Sequence, residues 1–242
     1  MTARRAPEWL KRWEYAHRGL HGEGVPENSL AAAQGAIAAG MGIECDIQMS
    51  RDNVPLVFHD WELERLTKER GKVAARPADE LCRIPLAETG QTIWQLKDLL
   101  GLAAGRVPIL VEIKAQPHLS LAQACIAIAK VLADYNGPFA VMSFDLRMGE
   151  WFAKHAPDMV RGLVVTDTLD HGYQSAWRRP YALERAAPDF LASDVRDIPN
   201  ALTGMWRETG RPLLTWTVRS PATRERGLAH ADALIAEGAG LA

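Results

Sequence analysis

Residues 29–48 read SLAAAQGAIAAGMGIECDIQ, and this stretch decides the fold class. Its first half, 29–39, is built of alanines and other helix formers behind a residue able to cap a helix. Its second half, 42–48, has the short apolar character of a buried strand, carrying Glu44 and Asp46 on one face and Cys45 on the other. A helix that feeds directly into a strand is half of a βαβ unit. The same alternation continues in both directions. Strands are expected near 14–17, 42–48, 55–59, 108–114, 139–143, 162–165, 190–192, 213–218 and 233–236. Helices are expected at 29–39, 92–102, 119–135, 146–155, 181–186, 199–208 and 222–230. Strand and helix in alternation imply a parallel sheet with crossover helices.

The chain has 242 residues, and (β/α)8 barrels of about 250 residues fold as single units. The strand at 55–59 is separated from 42–48 by little more than Ser50-Arg51-Asp52-Asn53, so the pair reads as one barrel strand extended by a hairpin-like excursion. The expected fold is therefore an α/β protein, a (β/α)8 TIM barrel over 1–242, with a mostly polar, weakly periodic insertion at about 60–91. An open doubly wound sheet is the structural rival. It is disfavoured because no glycine-rich phosphate loop follows the first strand.

Composition narrows the class of function. Hydrophobic residues make up 48% of the chain, enough for a sizeable core, and the formal net charge is −2 with Lys and Arg scattered. A nucleic-acid binder needs a concentrated basic face, so any anionic substrate has to be met by local cations in a pocket. Cys45, Cys82 and Cys125 form no CxxC unit and read as free thiols of a reducing compartment. Residues 1–15 lack the apolar core of a signal peptide. Trp9-Leu10-Lys11-Arg12-Trp13 reads as a short amphipathic lead-in, and the longest apolar run, 121–133, is too short to span a bilayer. A soluble, cytoplasmic protein is expected.

Polar groups gather at strand ends: Ala16-His17-Arg18-Gly19, Ile43-Glu44-Cys45-Asp46, Phe58-His59-Asp60 and Val111-Glu112-Ile113-Lys114. In a (β/α)8 barrel these ends open onto the catalytic rim. Glu44, Asp46 and Glu112 converging there would repel one another unless a cation intervened, and oxygen-only ligation suits Mg2+ or Ca2+. The plainer alternative makes the three acids ion-pair partners of Arg18 and Lys114. His17 and His59 beside such a cluster form an acid–base pair, since an imidazole titrates near neutrality and phosphodiester cleavage needs one proton removed and one delivered. Arg18 and Lys114 would neutralise phosphoryl oxygens. The other histidines, His21, His118, His155, His171 and His230, fall in predicted loops or helix ends and read as surface residues. Pro26-Glu27-Asn28-Ser29 reads first as a helix cap supplied by Asn28 or Ser29, with a second role for Glu27 or Asn28 near the phosphate as the alternative, since this loop leaves the rim where His17 sits.

These motifs, in this order, resemble those of the glycerophosphodiester phosphodiesterase family: His17-Arg18-Gly19, Pro26-Glu27-Asn28-Ser29, Glu44-Cys45-Asp46, His59-Asp60 and Glu112-Ile113-Lys114. Leu63-Glu64-Arg65-Leu66-Thr67, Ser143-Phe144 and Trp216-Thr217-Val218 resemble further, weaker family marks. The resemblance implies a (β/α)8 barrel, with Glu44, Asp46 and Glu112 binding a divalent metal and His17 and His59 as acid and base. It also implies phosphate contacts from Arg18 and Lys114, and hydrolysis of glycerophosphodiesters to glycerol 3-phosphate and an alcohol. Trp216 is placed either as an apolar wall for the glycerol or alcohol moiety or as a rim packing residue. Family members commonly end the last strand with Thr-Asp, whereas this chain reads Leu234-Ile235-Ala236-Glu237-Gly238. The alternatives are a lysophospholipase D-like or cyclising phosphodiesterase on the same barrel, and a non-catalytic phosphate-ester binding barrel.

Overall fold

The computed structural model describes residues 6–87, 89–115, 120–167 and 181–242. The chain divides into two compact units, His17–Pro138 and a second made of Met1–Ala16 with Phe139–Ala242.

In the unit 17–138, helix α1 (Leu30–Ala38) leads into strand β2 (Gly42–Met49), as 29–48 implied. Strand β5 (Ile109–Ile113) lies parallel to β2, with Cys45 opposite Val111 and Asp46 opposite Glu112. That register puts Glu112 beside Asp46 on the face shared with Glu44. After β2 the chain turns back through β3 (Pro55–Val57), antiparallel to it, which is the hairpin expected from Ser50-Arg51-Asp52-Asn53. The Ser50 hydroxyl donates to Asp52 and accepts from the Val54 N–H, which closes the turn.

One expectation in this unit needs correction. The segment 92–102 is not one helix: Trp94–Gln95 forms a short strand, β4, antiparallel to β3, and helix α3 begins only at Leu96. Thr92-Ile93-Trp94 is β-branched and aromatic, which favours extended backbone, and the Trp94 indole is held by donating to the Asn28 carbonyl at 2.7 Å. The polar stretch 61–91 also hides a core of its own. Leu63, Val73, Leu81, Ile84, Leu86 and Ile93 pack on Leu56 and Phe58, all buried, with a 3-10 turn at Val73–Ala75 and a short helix α2 (Ala78–Leu81) between them. Its apolar residues are too widely spaced to show periodicity, yet each is used. Helix α4 (Leu121–Ala133) completes the unit; Leu119, the expected first residue of that helix, lies outside the described residues.

In the other unit the strands run in the order β6 (Phe139–Ser143), β7 (Arg161–Val165), β8 (Phe190–Asp194), β9 (Leu213–Val218), β10 (Ala233–Ala236) and β1 (Tyr15–Ala16), each parallel to its neighbour. Helices α5 (Leu146–His155), α6 (Ala182–Ala186), α7 (Ala201–Glu208) and α8 (Pro221–His230) fall between successive strands. The first strand of the chain thus lies beside its last. The residues ahead of β1 form a 3-10 turn (Glu8–Lys11) whose Leu10 is fully buried and whose carbonyl accepts from the Tyr15 hydroxyl at 3.2 Å. Cys45 and Cys125 are buried and Cys82 is half-buried, none of the three in a disulfide. No helix among the described residues is long and apolar enough to cross a membrane.

The loop 17–29 is shaped by left-handed backbone. Arg18, Gly19 and Asn28 have φ of 59°, 77° and 55°, and the Asn28 N–H donates to the Arg18 carbonyl at 2.8 Å. Gly19 lies against α1, where an added Cβ would stand 2.8 Å from the Ala32 carbonyl carbon and side chain. Gly19→Ala is therefore expected to destabilise the protein by about 3 kcal/mol, from overpacking and a disfavoured φ together. Urea unfolding checks this; a loss below about 1 kcal/mol would mean that α1 gives way easily.

Candidate active site

The helix cap is Ser29: its hydroxyl accepts from the Ala32 N–H at 3.1 Å. Asn28 is thereby released from capping, and its positive φ turns the side chain to strand β2. Its Nδ2 donates to Asp46 Oδ2 at 2.9 Å while its Oδ1 accepts from the Asp46 N–H at 3.2 Å. Of the two cap candidates the structure takes Ser29, and the Asn28 side chain is spent on Asp46 instead.

Around Asp46 the expected residues come together. Glu44, Asp46 and Glu112 are buried and present carboxylate oxygens all within 4.8 Å of one another. Lys114, two residues beyond Glu112 on the same face, places Nζ 2.8 Å from Asp46 Oδ1 and also bonds Glu112 Oε1. The Arg18 N–H donates to Glu44 Oε2 at 3.0 Å, and Arg18 Nε lies 3.1 Å from Asp46 Oδ2. His17 Nε2 is 4.0 Å from Glu44 Oε2. His59 Nδ1 is 2.6 Å from Asp60 Oδ1.

The ionisation of these groups follows from burial opposed by neighbours. Burial pushes the Asp46 carboxyl up, but Lys114, His59, Arg18 and His17 together hold it far below the usual carboxylate range. Glu44 goes the other way: burial, with Asp46 and Glu112 beside it, drives its carboxyl well above that range against Arg18 and Lys114. Burial would lower the Lys114 ammonium, but Asp46 and Glu112 overcome this and hold it charged. The Cys45 thiol is pushed up by burial and by the three acids, so it stays protonated behind them.

Two further residues reach the cluster from outside the strands. Glu27 accepts from Arg18 Nη1 at 2.7 Å, and Arg65 bridges Glu27 and Asp60. No short-range pattern announces these contacts, since Arg65 is 38 positions from Glu27. Of the remaining histidines, His155 is exposed, but His21 and His230 are half-buried rather than plain surface residues. His118 and His171 lie outside the described residues. Trp216 belongs to the other unit; its indole donates to the Ala192 carbonyl at 3.0 Å and its ring meets Phe144 edge-on, centroids 5.4 Å apart. Glu237, which ends the atypical last-strand segment, pairs with Arg219.

The acidic cluster fits a divalent cation. Glu44 Oε1 is buried without a hydrogen-bond partner, the condition of an atom made for another ligand. Oxygens bound to one Mg2+ or Ca2+ at about 2.0–2.6 Å stand no more than about 5 Å apart, as this trio does. The charges agree. With Glu44 ionised, five carboxylates in this unit (Glu27, Glu44, Asp46, Asp60, Glu112) would face three cations (Arg18, Arg65, Lys114), two positive charges short.

Carboxylates, imidazoles and guanidinium groups held in one buried cluster are the equipment of an enzyme acting on anionic esters. The chain belongs to the glycerophosphoryl diester phosphodiesterase family, whose family model matches residues 17–237. It is 26% identical over 243 residues to a glycerophosphodiester phosphodiesterase of Caldanaerobacter subterraneus subsp. tengcongensis, covering 94% of this chain and 95% of that protein. It is 36% identical over 107 residues to one from Bacillus altitudinis, covering 41% of this chain and 43% of that protein. Among solved structures, it resembles an Oleispira antarctica phosphodiesterase in complex with the product sn-glycerol-3-phosphate (TM-score 0.79, 21% identity, 94% of each chain). It also resembles the Thermotoga maritima glycerophosphodiester phosphodiesterase (TM-score 0.73, 23% identity, 92% of each chain). The fold is the (β/α)8 barrel.

Proposed function

We propose that this protein hydrolyses glycerophosphodiesters to sn-glycerol 3-phosphate and an alcohol. The observation that carries the reading is the acidic trio Glu44, Asp46 and Glu112, with His17 4.0 Å from Glu44 and His59 tied to β2 through Gln48, in a chain of this family. The product seen with the Oleispira antarctica relative supports it.

In this reading Glu44, Asp46 and Glu112 hold Mg2+ or Ca2+, and Asn28 keeps Asp46 oriented. Such an ion, when bound, supplies Lewis-acid polarisation of the phosphoryl oxygens. Arg18 and Lys114 add fixed positive charge against the phosphoryl group as it gains negative charge. One imidazole takes a proton from the attacking water. The other gives a proton to the departing alkoxide as the bond from phosphorus to the alcohol oxygen breaks. The water oxygen stays on phosphorus in glycerol 3-phosphate. Trp216, in the other unit, is packed edge-on by Phe144.

Release of glycerol 3-phosphate from a panel of glycerophosphodiesters, with Mg2+ or Ca2+ present, tests the proposal. Stoichiometric glycerol 3-phosphate and free alcohol are expected. A cyclic phosphate product by phosphorus NMR, or tight binding without turnover under either metal, would overturn hydrolysis.

A further inference from the structure

We infer that Arg65 is a positioning residue for catalysis: one guanidinium from the 61–91 segment holds His59 through Asp60 and Arg18 through Glu27. This inference rests on the acid–base reading of His59. Arg65 Nε donates to Asp60 Oδ2 at 2.5 Å and Nη2 to Asp60 Oδ1 at 2.9 Å. The same group reaches Glu27, with Nη1 on Oε2 at 3.0 Å and Nη2 on Oε1 at 2.7 Å. Asp60 Oδ1 in turn holds His59 Nδ1, and Glu27 Oε1 holds Arg18 Nη1. An unbroken chain of contacts therefore runs His59–Asp60–Arg65–Glu27–Arg18–Asp46.

The chemistry of each link gives it direction. Burial raises the Asp60 and Glu27 carboxyls, yet hydrogen bonds from His59 and Arg65 to Asp60, and from Arg65 and Arg18 to Glu27, hold both below their ordinary values. Both carboxyls are therefore ionised and accept only. Asp60 thus fixes the proton of His59 on Nδ1 and leaves Nε2 as the nitrogen that exchanges protons with substrate. An aspartate holding a ring nitrogen sets both the tautomer and the plane of an imidazole. Arg65 in turn fixes Asp60, and only a planar fork with several donors spans two carboxylates in this way.

The arginine is well mounted. Its side chain is 47% exposed, so as a surface ion pair it would add little stability. Its backbone, though, is anchored by buried Leu63, whose N–H donates to Gly71 and whose carbonyl accepts from Thr67. The His59 carbonyl accepts from Gln48 Nε2 at 2.8 Å, so the histidine backbone is fixed to β2 independently of Arg65. What Arg65 contributes is orientation. The 61–91 segment then acts in catalysis through this one side chain, although it carries none of the proposed acids, bases or ligands.

The test measures glycerophosphocholine hydrolysis and the nitrogen-15 NMR spectrum of the His59 ring in the wild type, Arg65→Ala, Arg65→Lys and Asp60→Ala, with His59→Ala to assign the signal. Arg65→Ala is expected to lower kcat about 100-fold with KM changed less than about 5-fold, since misplacement by about 1 Å has that effect. Added guanidinium should return about 10-fold of the lost rate, whereas Arg65→Lys should not restore it, because an ammonium lacks the fork. The ring should pass from a single Nδ1–H tautomer to a mixture in Arg65→Ala and Asp60→Ala. Rate loss with an unchanged ring spectrum would make Arg65 merely structural and overturn the inference, as would an unchanged rate. If His59→Ala keeps full activity, the acid–base reading itself fails. The ring spectrum of Arg65→Ala, which needs no turnover, then decides whether the positioning holds.

Discussion

Replacing His59 by alanine is expected to lower kcat by about 1,000-fold, and replacing His17 likewise, since a positioned acid or base contributes about 10²–10⁴ in rate. The effect should fall on kcat, because in the proposed mechanism Arg18 and Lys114, not the imidazoles, hold the phosphate. Both variants should fold. His17 is largely buried and His59 half-buried, but the strands that position the cluster, β2 and β5, carry neither. Under the proposed mechanism their binding of a divalent ion should be unchanged, because the carboxylate trio is untouched. A single turnover measured with metal saturating separates the chemical step from product release. Retention of even a tenth of wild-type kcat in either variant would remove that histidine from the mechanism.

Removal of divalent ions is expected to have an effect of similar size. Chelation should lower turnover by about 1,000-fold, the loss of about 4 kcal/mol of electrostatic stabilisation of the phosphoryl group. Restoring Mg2+ or Ca2+ should restore the rate. The reason lies in the charge of the cluster. Glu44 is buried beside Asp46 and Glu112, with one oxygen unpartnered, and its carboxyl is driven toward the protonated form. A dication removes that conflict and completes the count of five acids against three bases. Metal should therefore also raise the melting temperature, because it binds the folded cluster and not the unfolded chain. Asp46→Asn should abolish both the rescue and the thermal shift. It removes the carboxylate that Lys114, Arg18 and Asn28 all hold. Full activity in the presence of excess chelator would leave Lys114 and Arg18 as the only phosphate-binding charges, and the metal reading would fall.

The difference between Asn28 and Ser29 shows how the two levels of information divide. Either residue caps a helix, and local sequence cannot rank them. The choice is made by the hydrogen bond from the Asn28 N–H to Arg18 and by the left-handed φ of Asn28, which face its amide to Asp46. Trp94 is a similar case. Its place in a helical-looking run is overridden by pairing with Val57 and by its bond to the Asn28 carbonyl.

What the sequence determined by itself are the properties carried by the two-residue period of strands and by chain order. Glu44 with Asp46, and Glu112 with Lys114, share faces because strand residues alternate. The return of β3 along β2 follows from the short turn Ser50-Arg51-Asp52-Asn53. Only the tertiary structure decided what depends on contacts between distant segments: Asn28 on Asp46, Glu27 on Arg18, and Arg65 across Glu27 and Asp60. The buried row Leu63, Val73, Leu81 and Ile84 inside a polar stretch belongs with these. Such partners are chosen by packing in three dimensions, and no periodicity along the chain records them.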